Sequence, residues 1–156
     1  MLFRSPSWSK TGRVVVTRPA NGLVTMNADG TDVKELVRSE QSPKALIPDG
    51  YIAPAWSPDG KRVAYVRQVW IKQPNYLYPS TIETVNADGT GRHVVTKVHS
   101  GGGTDFTWSP DGRLIAFTDV RPEAIGLFSI PSDGGKPTNL IPSAVYFTPS
   151  WGPAGT

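Results

Sequence analysis

Cysteine is absent from the 156 residues, and with it go disulfide frameworks, thiolate metal sites and cysteine nucleophiles. Histidine occurs only at His93 and His99. Six residues apart on an extended strand, the two rings stand about 20 Å from each other, too far to share a metal. No apolar run approaches the roughly 18 residues of a membrane span, and the opening MLFRSPSWSK lacks the apolar stretch of a secretory leader, so neither a membrane span nor a leader is expected in the chain as written. Sixteen basic residues against 13 acidic ones leave a net charge of +3. The longest basic run is Lys61-Arg62, which gives no stripe along which phosphates could lie, and nucleic acid is not an expected partner. G-x-S-x-G, H-E-x-x-H and P-loop patterns are missing, and the aspartates do not follow calcium-loop spacing. From these absences the expectation is no catalytic residue, no metal and no cofactor.

Glycine and proline, by contrast, are plentiful at 16 and 15 positions, a load that suits short strands joined by tight turns. An internal repeat organises them. AWSPDGKRVAYV (55–66) and TWSPDGRLIAFT (107–118) nearly coincide, SWSKTGRVVVT (7–17) is a weaker copy, and SWGPAG (150–155) a truncated one. A second motif alternates with the first: MNADGT (26–31), VNADGT (85–90) and IPSDGG (130–135). In Ser57-Pro58-Asp59-Gly60, Pro presets the first central position of a type I turn, Asp suits the second, and Gly takes the left-handed conformation that closes a hairpin. The Asn-Ala-Asp-Gly segments can build the same turn, so the recurring aspartates are explained by turn chemistry.

Two hairpins per repeat give four strands, here lettered a (ending at the Trp), b, c and d. The b strands RVVVT, RVAYV and RLIAF do not alternate apolar with polar, which predicts burial on both faces. Four-stranded antiparallel units whose tryptophans recur at spacings of 48, 52 and 43 residues are the pattern of β-propeller blades. The residues W-S-P-D-G-(K/R)-x-(I/V)-A-(Y/F) with N-A-D-G-T resemble the TolB-type propeller repeat over nearly the whole chain. That resemblance implies a six-bladed, non-catalytic ring that binds proteins, outside the cytoplasm if the parent is exported; related blades accompany prolyl oligopeptidases and some carbohydrate-active enzymes. The expected fold class is therefore all-β, with blade 1 over 1–46, blade 2 over 47–102, blade 3 over 103–143 and an extra strand a over 144–156.

Two connections are enlarged, 67–81 between strands b and c of blade 2 and 37–51 between blades 1 and 2, and antiparallel order puts both on one face. Trp70, Tyr76 and Tyr78, between Pro74 and Pro79, make that face the candidate binding surface; the alternative is that they lengthen the b–c hairpin and pack on a neighbour. Strand a lines the channel of a propeller, which adds Tyr51, and places Asp105, after His99 and the glycine run 101–103, where a channel-mouth site for a cation or polar ligand could form; the alternative is a solvated loop carboxylate. Three blades cannot close a ring. Open apolar flanks predict association, and the expected assembly is a head-to-tail homodimer of six blades with a protein or peptide ligand. The competing expectations are a piece of a longer exported propeller, or the propeller of a hydrolase or carbohydrate-active enzyme.

Overall fold

A computed structural model describes residues 6–18, 22–40, 50–69, 80–99, 105–121, 124–142 and 148–152. They form three four-stranded antiparallel sheets, each made of strands consecutive in sequence. The first holds β1 (Ser7–Trp8), β2 (Arg13–Arg18), β3 (Gly22–Asn27) and β4 (Lys34–Val37). The second holds β5 (Gly50–Trp56), β6 (Arg62–Gln68), β7 (Ser80–Asn86) and β8 (His93–Val98). The third holds β9 (Phe106–Trp108), β10 (Leu114–Arg121), β11 (Ala124–Pro131) and β12 (Thr138–Pro142). The all-β class and the four-strand unit expected from the repeat are both present. Residues 148–152 carry no strand, so the described part of the expected extra strand a stays outside any ladder. The Trp151 indole nevertheless donates to the Thr107 carbonyl at 3.4 Å.

The turns form as the residues dictate. Gly60 N–H donates to the Ser57 carbonyl at 2.9 Å, with Gly60 at φ +73°. The Ser57 hydroxyl donates to Asp59 Oδ1 at 2.6 Å, and Lys61 N–H donates to the same oxygen at 3.0 Å. Ser109, Asp111 and Gly112 repeat this pattern. In the second motif Asp29 and Asp88 each accept from the backbone N–H and the hydroxyl two residues on, at Thr31 and Thr90. A carboxylate with two donors in a turn needs no ligand to account for it.

Every c–d pairing carries a bulge at the same place, between Leu23 and Val24, Ile82 and Glu83, Leu127 and Phe128. Strand β5 has its own irregularity between Ile52 and Ala55, where Ala53 sits at φ +51° beside Pro54; a missing N–H there costs no ladder bond.

Blade 2 is packed on both faces, because successive β6 side chains point to opposite sides. Val63 and Tyr65, with Val85, Tyr51 and Trp56, pack on Val15, Leu23, Leu36 and Val37 of blade 1. Ala64, Val66 and Ile82, with Val95 and Val98, pack on Trp108, Ile115, Phe117, Phe128 and Ile130 of blade 3. These two seams are the core. Arg62 pins the second one: it bridges to Asp133 at 2.6 Å, donates to the Ser132 hydroxyl at 2.9 Å, and lies 5.2 Å above the Trp108 ring.

Candidate functional site

The two buried carboxylates among the described residues, Glu83 and Asp119, stand one at each seam. In the seam between blades 1 and 2, Glu83 is 1% exposed on β7, directly across from Tyr65 on β6. Its carboxylate accepts from the Tyr65 hydroxyl at 2.9 Å, the Thr81 hydroxyl at 2.9 Å and Arg92 Nε at 2.8 Å. Arg92 also bridges to Glu40 of blade 1 at 2.8 Å, and Arg67 reaches Glu40 at 3.5 Å and Glu83 at 3.8 Å. Burial, and then the Glu83 charge, push the Tyr65 phenol far above its ordinary range, so Tyr65 is the donor in its bond to Glu83. Among the described residues the cluster sets two guanidinium groups against two carboxylates. It ties blade 1 to blade 2.

The seam between blades 2 and 3 carries a smaller version. Asp119 on β10 has a fully buried side chain, and its Oδ1 accepts from His99 N–H at 2.6 Å and from Val120 N–H at 2.9 Å. The His99 ring places Nδ1 3.5 Å from Asp119 Oδ2 while remaining 48% exposed. Chemically this is an imidazole oriented by a buried carboxylate, just past the end of strand β8.

Those of the residues singled out from sequence that are described are thus dispersed. Trp70, Tyr76 and Tyr78 lie outside the described residues. Tyr51 is 2% exposed and turns into the blade 1–2 seam. There its ring lies 5.8 Å from that of Tyr65 and beneath Arg92 at 5.7 Å, because one apolar face of every strand must be covered. Burial pushes its phenol above the ordinary range. His99 faces Asp119, whereas Asp105 accepts from the Thr148 hydroxyl at 3.4 Å. Asp105 continues the β9 side opposite to Phe106, so the pleat sends it and the seam-facing Asp119 to opposite faces of blade 3. Glu83, Arg67, Arg92 and Asp119 were missed. The available signal was Glu83 within the alternating strand STIETVN, on the same side as Val85. Among the described residues no group of three or more His, Asp or Glu side chains is placed to hold a metal, and no helix is long and apolar enough to cross a membrane.

The fold is that of consecutive β-propeller blades, a fold that solved TolB structures share. A putative TolB from Agrobacterium tumefaciens superposes with a TM-score of 0.61 at 22% identity, covering 90% of this chain and 46% of that one. An oligogalacturonate lyase in complex with manganese superposes with a TM-score of 0.64 at 14% identity, covering 91% of this chain and 37% of that one. By sequence, the chain is 36% identical over 105 residues to an uncharacterised peptidase, YuxL, of Bacillus subtilis, which is 65% of this chain and 16% of the relative. It is 26% identical over 125 residues to dipeptidyl-peptidase 5 of Arthroderma otae, 79% of this chain and 17% of the relative. The chain therefore spans about a sixth of the length of these two relatives. No known family profile matches it. These relatives overturn the expectation of a non-catalytic protein that is no enzyme: proteins named as peptidases share part of its sequence. The physical reason is that blades and catalytic groups can occupy different stretches of one polypeptide, so a blade without catalytic motifs does not argue against an enzyme.

Proposed function

We propose that the chain is half of a six-bladed propeller belonging to a larger enzyme of peptidase class, in which the ring receives a peptide substrate on the face of the enlarged connections. The observation that carries this reading is the 36% identity over 105 residues to a protein named as a peptidase. His99, oriented by the buried Asp119 just past strand β8, suits the polar groups of a peptide, and the sequence segment that carries Trp70, Tyr76 and Tyr78 supplies aromatic side chains of the kind that bind its side chains. The test is hydrolysis of dipeptidyl and aminoacyl p-nitroanilides by the polypeptide translated from the complete reading frame that includes this chain. Release of p-nitroaniline is expected; a folded polypeptide that hydrolyses none of them overturns the reading.

A second reading is that two copies close the ring head to tail and form a protein-binding scaffold. It is favoured by the apolar residues exposed on both flanks, Trp8 on one and Val120, Ile125, Leu140 and Ile141 on the other. Sedimentation equilibrium at micromolar concentration separates the two: a twofold mass supports the second copy, and a monomer with open flanks removes it.

A further inference from the structure

The seams follow a rule that the first flank of the chain leaves unfinished. At each described seam a residue just past strand d of one blade faces a charged residue near the end of strand b in the next. Glu40 faces Arg67 at 3.5 Å, and His99 faces Asp119 at 3.5 Å. The places correspond: Glu40 and His99 lie equally far beyond their Asp-Gly turns, and Arg67 and Asp119 equally far beyond Trp56 and Trp108. A second recurring bond runs from the indole of one blade to the carbonyl of the residue before the preceding tryptophan. Trp108 Nε1 donates to the Ala55 carbonyl at 3.1 Å, and Trp151 Nε1 to the Thr107 carbonyl at 3.4 Å. Trp56, at the seam between blades 1 and 2, is buried without that bond.

On blade 1 the side facing away from blade 2 carries Val14 and Val16, the places of Val63 and Tyr65, and then Arg18, the place of Arg67. Arg18 is exposed and makes no ion pair with a described residue; in blade 1 the place of Glu83 is Val24, so no carboxylate of its own sheet stands beside it. Trp8, the place of Trp56 and Trp108, is 59% exposed. A cation without an ion-pair partner among the described residues and an exposed indole, at these two places, are what a seam looks like with its first half missing.

We propose that this flank, built around Trp8 and Arg18, is the docking surface for a further propeller blade that carries a carboxylate at the place of Glu40 and a free strand-a carbonyl for the Trp8 indole. The proposal rests on the reading above that further blades cover the flanks. Charge decides the occupant. An unmodified second copy has Ala144 at the corresponding distance in sequence beyond its Asp-Gly turn and a Thr107 carbonyl already engaged by its own Trp151, so it offers neither group. The partner is a blade of the same repeat with Asp or Glu there, in keeping with the Glu40–Arg67 seam.

The chain itself supplies the probe. A full-length copy carrying Ala144→Glu and Trp151→Ala is titrated against labelled wild-type chain, with the Trp151→Ala copy as reference, and association is followed by sedimentation velocity after circular dichroism has shown all variants folded. The added carboxylate is expected to tighten association about three- to tenfold, more at low salt. Arg18→Glu in the labelled chain should remove the gain, and pairing Arg18→Glu with Ala144→Arg should restore it. Equal association of the Ala144→Glu copy and the reference copy, or a gain that survives Arg18→Glu, overturns the proposal. Because no peptide substrate enters this measurement, its failure is distinguishable from failure of the peptidase reading.

Discussion

Glu83 shows what a single buried charge commits the surrounding residues to. Its carboxylate holds Tyr65, Thr81 and Arg92 at once, and removing it leaves the buried Tyr65 phenol without its acceptor and the partly exposed Arg92 with Glu40 alone. Glu83→Ala is expected to cost about 3–5 kcal/mol, against a smaller loss for Glu83→Gln, which keeps an acceptor oxygen; urea unfolding followed by fluorescence measures both. The turn aspartates act in the opposite environment. Hydrogen bonds from Ser57 and then Lys61 hold Asp59 below the usual carboxylate range, and Ser109 and Arg113 do the same for Asp111. A carboxyl whose folded pKa is lowered contributes stability above its unfolded pKa and loses it as pH falls through the folded value. Thermal unfolding should therefore shift downward below about pH 4, and the double variant Asp59→Asn, Asp111→Asn should flatten that acid limb while lowering stability at neutral pH. An acid limb of unchanged steepness in the double variant would count against the turn bonds.

At the scale of the strand, what was legible and what was not divide by distance along the chain. The hairpins could be read because Ser-Pro-Asp-Gly and Asn-Ala-Asp-Gly specify their turns within four residues, and β6 could be read as doubly buried because RVAYV admits no polar face. The bulge in every c–d pairing left no such mark, since the extra residue needs no special side chain. Nor did the Glu40–Arg67 and His99–Asp119 pairs, whose partners meet only when one sheet is stacked on the next. Gly22 follows from the close approach of β4. It sits at φ +86°, and a Cβ there would fall on the Val37 carbonyl oxygen. Gly30, at φ +82° with open space around it, faces only the left-handed backbone penalty, roughly 1–2 kcal/mol for Ala. Gly22→Ala should cost distinctly more than Gly30→Ala in the same unfolding assay; equal losses would show that strand β4 moves aside freely.

For the molecule as a whole, the repeat places one side chain in two environments and so tests whether the last flank is open. Val95 and Leu140 occupy corresponding places, each the residue at the c–d bulge. Val95 is 5% exposed inside the seam with blade 3, whereas Leu140 is 47% exposed on the far side of blade 3. In the isolated chain Val95→Asp buries an unpaired carboxylate and should cost more than about 3 kcal/mol. Leu140→Asp should stay within about 0.5 kcal/mol and should weaken any self-association, because it charges an apolar flank. The two substitutions are compared by urea unfolding at a concentration where sedimentation shows monomer, then again at higher concentration. A large loss from Leu140→Asp in the monomer would mean that the chain's own residues cover this flank. A loss that grows with concentration would mean that another chain does, and the growth would measure how strongly blade 3 depends on a following blade.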